Sequence, residues 1–487
     1  MNTRKILYGL GLLLSVWMVG CKDLDDINHD PSKPSSTKPE YLFTYGEKNS
    51  SDLIYAGTQN GSIGTLYAQY WTGDAANSSR YALDEGSNGA LWSGLYLTLN
   101  NLEEANRLNR ARAATIPAAT NQIACTWILK AWIYQILADA YGDIPFFETN
   151  QIAQTITPKY DDAKTVYSAL IDTLQQQIAL LDDSKPGFET GDGIFNGDVG
   201  KWRKFGNSLL LRLAIREVDA NKEQAQQIIE SVYDKAMTSN DDNAEFKYLG
   251  ADPNAFPYND SQRAIIAYYV SATLTDYQRS TKDPRFSIYA RPAASTDTIR
   301  GMPYGQAESD TLRQPAGNYS YPGTKIYSAS MSGILMQYSE VEFILAEAAA
   351  RGFATGDAAT HYLHGVNASL AYWGVDTASA AAQTFLAGVP YNAADWRNVV
   401  GTQKWLALYP QGLQGWFERN RLNFKKPGGD SLFKAPLSGI LDGFVTFVPY
   451  RLSYPKSEQT LNGANYTSAV THLGADNQGV KLWWNKL

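Results

Sequence analysis

Few side chains in this sequence stand at spacings that chemistry would need. The run Asp192-Gly193-Ile194-Phe195-Asn196-Gly197-Asp198 has the look of a calcium loop. An EF-hand loop needs oxygen ligands at its third and twelfth positions, and here those are Ile194 and Arg203. The run therefore reads as a structural turn. His361 and His364, two of only four histidines, share an i,i+3 spacing. No acidic residue accompanies them at the spacing of a zinc protease, so no metal site is expected there. The sequence holds no Gly-rich phosphate loop and no Gly-x-Ser-x-Gly elbow. Acidic residues are plentiful, but two carboxylates flanking a glycosidic bond cannot be read from order alone. No catalytic residue, cofactor or metal is assigned.

Cys21 is the residue whose surroundings most clearly specify chemistry. Arg4 and Lys5 precede an uncharged run from Ile6 to Val19, which is short for a membrane span and suits an export signal. The run ends in Met18-Val19-Gly20-Cys21, small residues before a cysteine in the manner of a bacterial lipobox, although Met18 replaces the usual Leu. Residues 1–20 are then a signal peptide and Cys21 the lipidated first residue of the mature chain. Residues 21–40 follow as an acidic stretch, Asp23, Asp25 and Asp26, and a Pro- and Ser-rich tether. The other cysteine, Cys125, lies in an apolar helical run and reads as a buried thiol.

Binding chemistry points to the aromatics. The chain carries 31 tyrosines and 12 tryptophans. A sugar ring has an apolar C–H face that can lie on an indole or phenol, while its hydroxyls need Asn, Asp, Arg or backbone partners. Trp71 stands before Gly73, Asp74 and Asn77 in a polar stretch, and Tyr304, Tyr319 and Tyr321 stand among Gly, Pro, Asn318 and Arg313. These four rings are the candidate ligand contacts; Trp92, Trp127 and Trp132, on helices, read as core. A net charge of -7 with no basic stripe excludes nucleic acid as a partner.

The elements that must position these residues are mostly helices. Ala163, Val166, Tyr167, Leu170, Ile171, Leu174, Ile178 and Leu181 fall on one helical stripe within 160–181. Residues 91–113 repeat the pattern, with Glu103 and Arg107 as an i,i+4 ion pair on the polar side. Residues 122–141 are apolar almost all round, with a narrow stripe of Gln122, Thr126, Lys130, Gln135 and Asp139; such a helix is buried on most sides, and Gly142 and Pro145 end it. A similar helix is predicted over 333–351, another over 225–236 from the stripe Ala225, Ile228, Ile229, Val232 and Ala236, and others over 203–219, 357–373, 395–408 and 412–421. Long irregular stretches at 57–90, 240–262 and 284–332 separate them, and loops of that length are usually functional. Lys201 to Arg216 is basic on one face and should pair with acids on neighbouring helices.

At this level the sequence resembles the SusD/RagB-like outer-membrane lipoproteins, especially their second large subgroup. The resemblance rests on Ala131-Trp132-Ile133-Tyr134 with Tyr141-Gly142-Asp143-Ile144-Pro145-Phe146, and most specifically on Asp192–Asp198 running into Lys201-Trp202-Arg203-Lys204-Phe205-Gly206-Asn207 and Leu211-Arg212-Leu213-Ala214-Ile215-Arg216. Tyr338-Ser339-Glu340-Val341, Gln403-Lys404-Trp405 and Pro449-Tyr450-Arg451-Leu452 extend it. Gly415–Arg421 departs from it, lacking two adjacent arginines. The resemblance implies a mostly α fold in which tetratricopeptide-like helix pairs form a scaffold supporting long loops, here one domain over 41–487. It also implies a cell-surface, outer-membrane lipoprotein that captures oligosaccharides for a SusC-like TonB-dependent barrel. A peptide-binding protein of the same family is the alternative, and a surface glycoside hydrolase a lesser one.

Overall fold

The computed structural model describes residues 37–57, 60–73, 77–150, 155–258 and 268–487. Cys21, the leader and most of the tether lie outside them. Residues 39–487 form one compact unit. No helix among the described residues is long and apolar enough to cross a membrane.

The first helix, α1 (Pro39–Tyr55), packs on α2 (Glu85–Arg112), α2 on α3 (Ala119–Tyr141), α3 on α4 (Ala163–Leu180), and α4 on α5 (Val199–Glu217), which pairs with α6 (Lys222–Val232). After α7 (Ala272–Thr281) comes the second helical block. It comprises α8 (Tyr338–Ala350), α9 (Ala358–Tyr372), α10 (Ala380–Gly388), α11 (Trp396–Ala407) and α12 (Gly412–Leu422). Two short helices, α13 (Lys456–Leu461) and α14 (Gly463–Leu473), close the chain. Asp84, Asp162, Asp198 and Asp357 each cap the N-terminus of the helix that follows, accepting from a backbone N–H that the helix leaves unpaired. At the end of α3, Gly142 has φ of 89°, a conformation that glycine adopts without strain.

Three antiparallel two-stranded ribbons stitch loops to the helices: β1 (Trp71–Thr72) with β5 (Tyr269–Val270), β2 (Ile144–Pro145) with β3 (Tyr160–Asp161), and β4 (Ala244–Phe246) with β6 (Gly333–Met336). The last corrects the helix predicted over 333–351. Gly333–Met336 is a fully buried strand, and the helix begins only at Tyr338. A short apolar run carries no period that separates strand from buried helix, and pairing with β4 decides it.

The surface pair expected between Glu103 and Arg107 is also corrected. Arg107 holds Glu104 at 2.6 Å, while Glu103 takes Arg110 at 2.5 Å and the buried ammonium of Lys130 on α3. A carboxylate facing the next helix is more useful against a buried charge than along its own surface. The basic run on α5 pairs with acids as expected: Arg203 with Asp183, Lys204 with Asp242 and Arg212 with Glu340.

Charge continues into the interior of the helical block. Arg216 on α5 holds Glu418 on α12 at 2.6 Å and Asp139 on α3 at 3.1 Å. Arg421 binds both oxygens of Glu347 on α8, at 2.7 and 2.6 Å, and reaches Glu418 at 2.7 Å; Lys404 on α11 holds Glu418 at 3.0 Å. Three cations meet three carboxylates, all buried, so the network tolerates no missing member.

Candidate functional site

The turn at 192–198 is closed by hydrogen bonds to Asp192. The Asp192 carboxylate accepts from the backbone N–H groups of Ile194, Phe195 and Gly197 and from Trp202 Nε1 at 2.7 Å. Four donors on one carboxylate fix the turn and the first turn of α5. His361 is likewise occupied: Nδ1 lies 2.6 Å from Glu342 and Nε2 2.8 Å from the Thr355 carbonyl. His364 stands 3.7 Å from the same Glu342. Elsewhere Asp143, Asp162 and His472 bring one ligand atom each within 4.8 Å of one another. There Asp143 accepts from Ala163 N–H and sits 2.6 Å from His472 Nδ1, and Asp162 caps α4. Each of the three residues makes at least one hydrogen bond of its own.

Of the four loop rings, three are enclosed. Trp71 is 1% exposed, Tyr304 3% and Tyr319 1%. The Trp71 indole donates to Tyr409 Oη at 3.1 Å and lies among Tyr258, Tyr268 and Tyr409 at centroid distances of 5.2–6.4 Å. Its position on β1, paired to β5, holds it there. Tyr304 faces Tyr81, and burial pushes its phenol well above the ordinary range. Tyr319 donates to Gln306 Oε1 at 3.2 Å. As placed, these rings offer no face to a ligand; stacking by any of them requires the loops to open. Tyr321 differs: it is half-buried, stacks on Tyr269 at 4.9 Å, and has the Arg291 guanidinium 5.0 Å from its ring. The loop aromatics are buried because they pack on one another across long sequence distances, a fact that polar neighbours in sequence conceal.

A roomier concavity lies elsewhere, lined by α2, by residues 145–150 and 155–158, and by α13. It has a volume of about 780 Å³, within the range of ligand clefts. Trp92 forms its floor, donating to Glu458 Oε1 at 3.1 Å, while Tyr160 donates to Glu458 Oε2 at 2.5 Å. Burial, then the Glu458 charge, pushes the Tyr160 phenol up, so the phenol keeps the proton it donates. Half-buried Tyr96 donates to the Pro145 carbonyl, and exposed Leu97, Ile156 and Leu461 form apolar walls. Asn100, Glu148 and Asn150 supply polar edges.

A second hollow of about 290 Å³ shares Thr149 and Asn150 with the first. Trp127, Tyr134, Phe146 and Phe147 line it together with Glu103 and Lys130. Trp127 is half-buried rather than core, with the Lys130 ammonium 3.8 Å over its ring. Phe147 is half exposed. Rings, amides and one charge pair around two joined hollows match what a sugar chain requires. Sequence reasoning missed this place because its parts lie on four separate segments. The pair Phe146-Phe147 just past a helix end, of which Phe147 is exposed, was the available signal.

The family profile for SusD-like proteins, described as "Starch-binding associating with outer membrane", matches residues 31–455. No curated protein matches. Among solved structures, a chitin-binding protein is 26% identical, covering 92% of this chain and 100% of its own, with a TM-score of 0.81. A SusD homologue from Bacteroides uniformis is 25% identical over the same shares, with a TM-score of 0.78. A chitin-binding SusD homologue from Flavobacterium johnsoniae shares the fold at 23% identity and a TM-score of 0.76, with 91% of this chain and 98% of that one covered. The chain belongs to the SusD-like family.

Proposed function

We propose that this SusD-like chain captures oligosaccharides at the bacterial surface and hands them to a SusC-like TonB-dependent barrel, without cleaving them. The observation that carries the reading is the likeness, nearly end to end, to a chitin-binding protein at 26% identity. The joined hollows around Thr149 and Asn150 give it a place: sugar C–H faces lie on Trp127, Phe147 and Tyr96, with Asn100, Asn150 and Glu148 taking hydroxyls. Tyr321 is the loop ring that could add a second contact; Trp71, Tyr304 and Tyr319 shape the loops behind it.

Titration calorimetry against chito- and malto-oligosaccharides, with peptides alongside, tests the reading. Binding without new reducing ends supports it. Binding of peptides alone replaces the glycan, and new reducing ends make the protein a hydrolase.

The anchor has its own test. A chain with no spanning helix among its described residues and a lipobox at Cys21 is held by lipid. Cys21→Ser should move the protein from the membrane to the soluble fraction. If the Ser variant stays on membranes and the wild type carries no lipid mass, the anchor reading fails. Mild-detergent extraction from the native host should recover the barrel with the wild-type protein.

A further inference from the structure

Arg419 on α12 is 3% exposed, and only one of its nitrogens is used: Nη1 donates to the Tyr67 carbonyl at 2.6 Å. Nε and Nη2 have no acceptor among the described residues. These two share one edge of the planar guanidinium, the side-on fork that grips both oxygens of a carboxylate. Two other buried arginines use that same edge. Arg212 donates from Nε and Nη2 to the two oxygens of Glu340 at 2.8 and 2.6 Å, and Arg285 to those of Asp283 at 2.9 and 2.8 Å. The carboxylate adjacent to Arg419 in sequence, Glu418, is already shared by Arg216, Lys404 and Arg421.

The Arg419 guanidinium lies 4.3 Å from the Phe433 ring centroid and 5.1 Å from that of Phe447. Flanking rings leave its edge as the only direction for strong bonds. That residue lines a cavity of about 110 Å³, together with Asn420, Lys425, Phe447 and Tyr450. Asn420 gives its amide N–H to the Pro449 carbonyl, and its Oδ1 has no donor among the described residues. Lys425 and Phe447 are exposed at the rim. The volume is well under the roughly 300 Å³ of a whole-ligand pocket, so it takes a functional group rather than a sugar ring.

We infer that this cavity is a subsite for the carboxylate of a uronic acid unit in the captured glycan. The carboxylate enters on the Nε–Nη2 edge of Arg419, a sugar hydroxyl donates to Asn420 Oδ1, and the ring stays at the mouth against Phe447. Lys425 adds a second positive charge at the entrance. The inference rests on the glycan-binding reading for the kind of ligand, but not on the hollows at Thr149–Asn150, which lie on other elements.

The test uses the full mature chain at constant ionic strength, titrated calorimetrically with sodium glucuronate, glucose and sodium acetate against sodium chloride. Glucuronate should bind and raise Tm while glucose does neither; acetate should bind more weakly than glucuronate. Arg419→Lys keeps the charge and loses the fork, and should weaken glucuronate by tenfold or more. Lys425→Ala, on the surface, should weaken it several-fold with Tm unchanged, which keeps the test decisive if the Arg419 variant folds poorly. Equal responses to glucuronate, glucose and chloride overturn the inference, as does glucuronate binding that both variants retain in full. Acetate binding without glucuronate also overturns it, because the cavity then takes a free small acid and not a sugar. If neutral oligosaccharides bind while glucuronate fails, this inference falls and the glycan reading stands; if neither binds, both fall.

Discussion

The interior of the second helical block and the interior beneath the long loops are equally buried, yet they are held by opposite means. Between α3, α5, α8, α11 and α12, six charged side chains neutralise one another. Beneath the loops, ring packs on ring: Tyr289 stacks on Tyr409 at 4.2 Å, Tyr70 on Trp405 at 5.2 Å, and Trp71 closes the layer. Charges demand fixed partners at fixed distances, which rigid helices provide. Rings tolerate several tilts and still exclude water, which suits segments with little backbone pairing of their own. The helical block therefore specifies geometry, and the loop layer fills space.

That contrast is sharpest at Glu418, which serves three cations. Its carboxyl is held well below the ordinary carboxylate range by Arg421, Lys404 and Arg216 against the opposing effect of burial. Glu418→Gln leaves buried positive charge uncompensated and should cost about 3–5 kcal/mol in chemical denaturation. Because the folded-state value is depressed, the stabilisation is present above the unfolded value of about 4.5 and is lost as pH falls through the lower folded one. A variant as stable as wild type at neutral pH would show that the network is not under electrostatic load.

Glu217, at the end of α5, behaves in the opposite sense. Burial raises its carboxyl to about 7, and Oε1 has no partner among the described residues. Between pH 4.5 and 7 the unfolded chain releases this proton and the folded chain keeps it, so stability falls as pH rises through that window. Glu217→Gln should therefore stabilise the protein by about 1–3 kcal/mol at pH 8 and by little at pH 4.5. Denaturation curves at the two pH values measure the difference, and a gain equal at both would assign the effect to packing.

Among the rings, a buried one and the half-buried ones should differ widely, and the half-buried ones give the smallest effects. Trp71→Ala should lower stability, by about 3–5 kcal/mol as for other buried large-to-small changes. Tyr321→Ala and Trp127→Ala should leave Tm nearly unchanged and weaken glycan binding by about 0.5–1.5 kcal/mol, several-fold to tenfold. Wild-type affinity in both variants would remove these two rings from the ligand contacts.

Much of the helical scaffold was readable from the sequence because apolar residues recur at the helix period over long stretches. Ala163 to Leu174 does so, and so does the narrow polar stripe of α3, whose Lys130 and Asp139 turn out to be buried and paired. Gly333–Met336 was not readable as a strand, since its partner lies nearly ninety positions away and four residues hold no period. The burial of Trp71, Tyr304 and Tyr319 was hidden for a related reason: polar neighbours in sequence mark the backbone as exposed but say nothing of where a side chain turns. Nothing in the order Glu418-Arg419-Asn420-Arg421 tells which arginine is saturated and which keeps an open edge; that depends on α8, Tyr67 and the 433–447 segment arriving from elsewhere.

The bonds made by the last residues of the chain bear on how the protein is assembled in time. Gln478 accepts from the Tyr67 hydroxyl and donates to the Tyr81 carbonyl, partners 411 and 397 positions earlier, and Glu458 accepts from Trp92, 366 positions earlier. Closing loops of that size is entropically slow, and such distant contacts reward the chain only after the closure is made. The local helix pairs can form early, but the segment between α1 and α2 must wait for the final fifty residues. Folding should therefore finish late and all at once, and a chain cut short after α12 should linger with that segment open to proteases.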